Sequence, residues 1–302
     1  MTVDALVNIV DALLDGLRLG APPDVKRIVV CDERLAWPAR RCTSRPEPVG
    51  RGRNTQPMRS AATSRARHPQ GCLFCRRHDG GFVSREHIFS ESLGNLTDYV
   101  LAPGVVCDRC NNGPLAAGDG ELIGFEPIAM LRAERGLPTK TGKPIAAKFA
   151  NATVWFGAPG QLNVESNSTK TTRRMTAAGG ELELLGRPIT PKRACLMVRS
   201  IWKATLELIY LDAGPSIAFL SIFDEARRAT LDDNCCGWAI LDRNTTATKT
   251  VDLEYDRAFI AGRHAIPVTL NAFGVRIHTD LLRRDLTENE FRPPSPHSIW
   301  TF

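Results

Sequence analysis

The chain has 302 residues, 43% of them hydrophobic, enough for two modest domains with real cores and ordinary for a globular protein. No apolar run reaches the ~18 residues of a membrane span, which argues against an integral membrane protein. Lysine and arginine number 39 against 33 aspartates and glutamates, a net charge of +6 that is unevenly placed.

In chain order, the first predicted element is an amphipathic helix over 3–17. Val3, Leu6, Val7, Val10, Leu13, Leu14 and Leu17 recur at three- and four-residue steps, with Asp4, Asp11 and Asp15 opposite or beside them. Gly20 and Pro22-Pro23 end it. The stripe can pack on its own domain or pair with a second copy as a homodimer. The N-terminus carries neither a basic region nor a cleavable apolar stretch, so no signal peptide is expected. A short strand is predicted over 27–31, and residues 1–36 form the first unit. Residues 37–71 hold eight arginines against the single acid Glu47, with Pro38, Pro46, Pro48, Pro57 and Pro69 among them. This composition reads as a disordered basic linker, either a solvated spacer or an arm adding salt-sensitive phosphate contacts to DNA.

Next come two cysteine pairs, Cys72-Leu-Phe-Cys75 and Cys107-Asp-Arg-Cys110. Two Cys-x-x-Cys knuckles supply the four thiolates of a tetrahedral structural zinc site. The 31 residues between Cys75 and Cys107 exceed the usual zinc-ribbon spacing, so a folded segment is expected between the knuckles. A Cys₂His₂ finger lacks its second histidine. A zinc deaminase needs His-x-Glu and Pro-Cys-x-x-Cys, whereas here Glu86 precedes His87 and Pro103 is not beside Cys107. An acid next to a histidine is the smallest kit for a metal ion with a general base. Spacing alone leaves a plain zinc-stapled module and a catalytic site equally open. The nine cysteines are an odd number and four have metal spacing, which suggests a reducing compartment and a cytoplasmic protein. Cys235-Cys236 fit a buried strand, and Cys31, Cys42 and Cys195 read as incidental.

Glu86-His87-Ile88, then Ser92-Leu93-Gly94, then Val106-Cys107-Asp108-Arg109-Cys110-Asn111-Asn112 resembles the HNH endonuclease family, in its zinc-knuckle branch. The likeness covers residues 72 to 135. It implies a β-hairpin followed by a helix around one catalytic divalent ion, Mg²⁺ or similar, with DNA as substrate. It also implies His87 as the base that activates water, Glu86 and Asn111 as ligands of that ion, and Cys72, Cys75, Cys107 and Cys110 as structural zinc ligands. Arg85 is placed to clamp a phosphate oxygen, or to stand solvated at a strand end. The family's middle asparagine has no counterpart at Leu101-Ala102-Pro103-Gly104; Asn95 and Asp98 are the nearest polar residues. The competing expectation is an inactive zinc module that binds nucleic acid or protein.

Residues 111–135 are expected to be helical, interrupted by Gly113-Pro114, Gly118, Gly120 and Pro127, with a hinge at 138–144. Strands are predicted at 154–156, 162–164 and 182–184, and the longest helix at 191–212, with Val198, Ile201, Trp202, Thr205, Leu208 and Ile209 on one face. A second helix is predicted at 223–231 and strands at 238–241, 251–253, 266–270 and 275–277. Pro267 would make the third of these an edge strand. His264 and His278 read as structural or exposed histidines, and His68 and His78, which flank the first knuckle, as surface residues. Arg173-Arg174, Lys192-Arg193 and Arg227-Arg228 are solvated surface or a DNA-facing patch. The expected fold is α+β: a ββα-metal module at 72–137, stapled by the four cysteines, and a separate α+β domain at 145–302.

Overall fold

The computed structural model describes residues 42–44, 68–94, 99–137, 139, 143–156, 162–166, 184–233, 237–242, 251–256, 258–260, 263–282 and 297–301. The helix expected at 3–17 with its dimer pairing, the strand at 27–31, Asn95, Asp98 and Cys235-Cys236 lie outside these residues.

The fold mixes helix and strand. Strand β1 (Cys42–Ser44) is followed by β2 (Glu86–His87) and β3 (Val100–Leu101). A helical run then contains α1 (Asp108–Cys110), a widened turn over Asn111–Leu115, α2 (Ala116–Ile123) and α3 (Glu126–Glu134). Strands β4 (Ala146–Lys148), β5 (Ala152–Phe156) and β6 (Leu162–Ser166) precede the long helix α4 (Pro191–Ala213), the short α5 (Pro215–Ala218) and α6 (Asp224–Leu231). The chain continues through β7 (Trp238–Asp242), β8 (Val251–Tyr255), β9 (Ala258–Ile260), β10 (Arg263–Ala265), β11 (Pro267–Ala272), β12 (Val275–Asp280) and β13 (His297–Thr301).

Six of the strands form one antiparallel sheet in the order β1-β8-β11-β12-β7-β13. Alternation decides its faces: Val268, Leu270 and Ala272 of β11 and Val275, Ile277 and Thr279 of β12 are buried. Helix α4 lies against this sheet, with Trp202 fully buried and its indole N–H donating to Thr279 Oγ1 at 3.3 Å. The helix starts where predicted because Thr190 caps it, accepting from the Arg193 N–H, and Pro191 follows at the first turn. Gly214, at φ +81°, ends it.

Pro267 does not mark an edge strand. β11 sits between β8 and β12, and Pro267 is its first residue, where a missing N–H costs the ladder little. Cys42–Ser44, inside the stretch expected to be a linker, pairs with β8 as strand β1. Strands β4, β5 and β6 form a second antiparallel sheet, and Ala147, Phe149 and Val154 pack with Ala129 and Met130 of α3 in a small core of their own.

The larger core is continuous from the cysteine region to the sheet. It holds Leu73, Ile88, Leu101 and Phe125 together with Trp202, Leu241, Val268 and Ile277. The segments expected as a module at 72–137 and a domain at 145–302 are therefore packed against each other. Helices α2 and α4 approach closely at Gly118, where a Cβ would come within 3.0 Å of the Leu196 carbonyl oxygen and 3.3 Å of the Ser200 nitrogen.

Candidate metal centre and the polar cluster beside it

Cys72, Cys75, Cys107 and Cys110 converge, with all four sulfurs within 4.8 Å of one another. Among the described residues they are the one group of three or more histidine, cysteine or acidic side chains placed to hold a metal ion. A tetrahedron with zinc–sulfur bonds near 2.3 Å has sulfur–sulfur edges of about 3.8 Å, and Cys75 Sγ lies 3.7 Å from Cys107 Sγ. The site fits zinc.

Local backbone explains the convergence. The first knuckle turns through Arg76, whose φ is +61°, and its ring is closed by Arg76 N–H to Cys72 O and Cys72 N–H to Arg77 O. Gly71 (φ +76°) leads into it, and a Cβ there would strike the Arg76 carbonyl. The second knuckle opens α1, and the Cys107 N–H donates to Cys72 Sγ at 3.3 Å. Gly80 is required beside it, since a Cβ would lie 2.8 Å from Cys107 Sγ. Without metal the thiols differ sharply. A hydrogen bond from Cys110 lowers the Cys72 pKa to about 5, against the burial that raises it. Burial pushes Cys107 up to about 11, and Cys110 is raised further, first by holding its proton toward Cys72 and then by burial.

The stretch between the knuckles contains the β2–β3 pair, with Glu86 opposite Leu101 and His87 opposite Val100. Asp108 braces the approach to it, accepting from the N–H groups of Val83 and Ser84. Burial draws the Asp108 carboxyl upward, but the hydrogen bonds from Ser84 and Val83 outweigh it and hold the carboxyl below its usual range. Asn111, in the turn after the second knuckle, donates from Nδ2 to the Arg85 carbonyl at 3.1 Å. Arg85 is exposed. The fold thus brings Asn111 to the residue preceding Glu86-His87.

On a strand, neighbours face opposite ways, and Glu86 and His87 do. His87 is half-buried, and its Nε2 lies 3.2 Å from Glu91 Oε1. Glu86 points inward at 3% exposure, with Oε1 2.6 Å from the Lys203 ammonium on α4. Lys203 also donates to the His87 carbonyl and to Asp119 Oδ2, each at 2.8 Å. Ser200 Oγ donates to the other Asp119 oxygen at 2.5 Å. Burial alone would lower the Lys203 pKa, but Asp119, Glu207 and Glu86 raise it well above the ordinary lysine value. Glu207, fully buried one turn beyond Lys203, has neither carboxylate oxygen hydrogen-bonded. Burial raises its pKa strongly; Lys203 opposes this, while Glu86, Asp119 and Cys72 add to it.

Asp119, Ser200, Lys203 and Glu207 were not singled out by sequence reasoning. The available signal was a lysine and a glutamate four residues apart in the middle of a helix rich in apolar residues. One arginine of each of two dibasic pairs turns inward, Arg193 bridging Glu121 and Glu126 and Arg227 buried beside Asp224, while Lys192 and Arg228 are exposed. His278 is bonded to Thr269, and His68 stacks on Phe219. Cys195, read as incidental, is disulfide-bonded.

No protein-family model, no curated protein and no solved structure matches the chain. No helix among the described residues is long and apolar enough to cross a membrane.

Proposed function

We propose that the protein is a metal-dependent endonuclease of the HNH type, hydrolysing phosphodiester bonds in DNA. The carrying observation is an antiparallel strand pair bearing Glu86-His87, followed by a helical run whose Asn111 returns to the Arg85 carbonyl, all stapled by the four-cysteine centre. In this reading His87 takes the proton of the attacking water, and Glu91 beside Nε2 orients the ring. Arg85, exposed next to the pair, contacts a phosphate oxygen. Glu86 and Asn111 would hold a hard divalent ion, which supplies charge neutralisation and a stabilised leaving oxygen. Glu86 Oε1 is engaged by Lys203, so this pair forms an open ion site only once that contact loosens.

The same contact favours a second reading, a non-catalytic zinc module that binds nucleic acid or protein. Plasmid cleavage with EDTA, Mg²⁺ and Mn²⁺ separates the two. The nuclease cuts only with a divalent ion, and His87→Ala keeps zinc while cleavage falls by roughly 10²–10⁴-fold. Absence of metal-dependent cleavage on any DNA leaves the binding module. If His87→Ala cuts as fast as wild type, the assigned base is wrong.

A further inference from the structure

We propose that Val83, Arg85 and Arg109 form the surface on which a DNA strand lies beside His87, each guanidinium taking a phosphate and Val83 the carbon face of a deoxyribose. The inference deepens the nuclease reading and rests on it for the choice of DNA.

Burial alternates along the segment that leads into β2. Phe82 and Glu86 are buried, whereas Val83 and Arg85 are exposed and His87 is half-buried. Arg85 and His87 therefore flank the inward Glu86 on the outer side of the chain. The segment is clamped to α1. Asp108 accepts from the Val83 N–H at 3.2 Å and the Ser84 N–H at 2.9 Å, and its own N–H donates to the Gly81 carbonyl at 3.1 Å. At Gly81, φ +67°, a Cβ would come within 2.6 Å of Asp108 Oδ2, so the two elements touch. These bonds fix the backbone yet leave Val83 at 60% exposure, the highest among the large apolar side chains described. A backbone already fixed lowers the ordering cost of binding.

Arg109, exposed on α1, lies beside the same segment, its Cβ 3.9 Å from where a Gly80 Cβ would stand. Neither the Arg85 nor the Arg109 guanidinium makes a hydrogen bond or ion pair with a described residue. The acids nearby are engaged elsewhere. Asp79 feels the Arg109 charge but is paired with Arg77, Asp108 is taken by the two amides, and Glu91 lies against His87. Guanidinium groups match phosphate oxygens bidentately. Two of them with an isopropyl group alongside match the alternation of charged phosphate and apolar sugar carbon along a nucleic-acid strand.

The test is binding of a fluorescent DNA duplex to the zinc-loaded full chain, by anisotropy across a salt series without added Mg²⁺ or Mn²⁺. Arg85→Gln and Arg109→Gln should each lower the salt slope by about 0.9, the loss of one phosphate contact. Val83→Asp sets a negative charge against the strand and should weaken binding about tenfold or more. Arg228→Gln, at an exposed position on α6, should leave the slope unchanged. Zinc content checks that each variant is folded. No binding of the duplex by wild type, or an unchanged slope in Arg85→Gln and Arg109→Gln, overturns the proposal. An equal drop in Arg228→Gln also overturns it, because the attraction is then diffuse. Weaker zinc binding by Arg109→Gln with unchanged DNA affinity makes that arginine a counter-charge to the thiolates and removes it from the surface. Binding that follows the proposal while wild type cuts no DNA upholds the surface and removes the nuclease reading. Metal-dependent cleavage by wild type with no change in either arginine variant does the reverse.

Discussion

Acidification should strip zinc from the four-cysteine centre along a slope that the structure sets. Zinc binds thiolates, so every ligand still protonated in the free protein releases its proton on binding. Cys107, raised to about 11, and Cys110, raised further, are both protonated at neutral pH, whereas Cys72, lowered to about 5, has already ionised. At least two protons and at most three are therefore displaced per zinc between pH 6 and 8. Each proton makes affinity change tenfold per pH unit, or about 1.4 kcal/mol. Two protons make it roughly 100-fold per unit, so from pH 8 to pH 6 affinity should fall by about 10⁴-fold, or ~5.5 kcal/mol. That is a large part of the ~10–16 kcal/mol typical of structural zinc. The sign is fixed: affinity rises with pH until the highest thiol pKa and falls below it. Competition with a chromophoric chelator from pH 6 to 8 gives the slope, and proton uptake on zinc removal in weak buffer checks the count. A slope near zero refutes the thiolate site. A slope of four means thiols with ordinary pKa values, as in a chain whose cluster is not preformed, and refutes the assignment of Cys72.

Other outcomes test the packing and the charges. Gly118→Val puts branched bulk where even a Cβ lies 3.0 Å from the Leu196 carbonyl oxygen; it should separate α2 from α4 and cost about 1–3 kcal/mol in chemical denaturation. Glu207 has a folded pKa above its unfolded value of about 4.3, so the folded chain holds the extra proton between the two. Its contribution is present below the unfolded pKa and lost as pH rises through the folded one. With no Mg²⁺ or Mn²⁺ added, Glu207→Gln should flatten that decline, read as melting temperature against pH; an unchanged profile rejects the buried neutral acid. If the arginine-rich segment touches DNA, replacing Arg51, Arg53, Arg59, Arg65 and Arg67 with glutamine should lower the salt dependence of binding by about 0.9 per lost phosphate contact. An unchanged slope leaves the segment a spacer.

Sequence alone determined the features whose causes are local. Two Cys-x-x-Cys pairs mark four thiols that could hold a metal ion, because the short spacing itself forms each knuckle. The helix predicted at 191–212 appears as Pro191–Ala213 because a cap, a proline, an apolar period and a glycine all lie within it or beside it. Strands at 238–242 and 275–280 follow from short β-prone runs. Tertiary structure decided what those features meet. Pro267 lies in an interior strand because pairing on both sides comes from distant segments. Cys42–Ser44 becomes a strand because β8 offers it an edge. Glu86 turns inward to Lys203, 117 positions away, and Asn111 reaches the Arg85 carbonyl across 26. Burial, charge pairing and close helix contact depend on partners far away in sequence, and no local period records them.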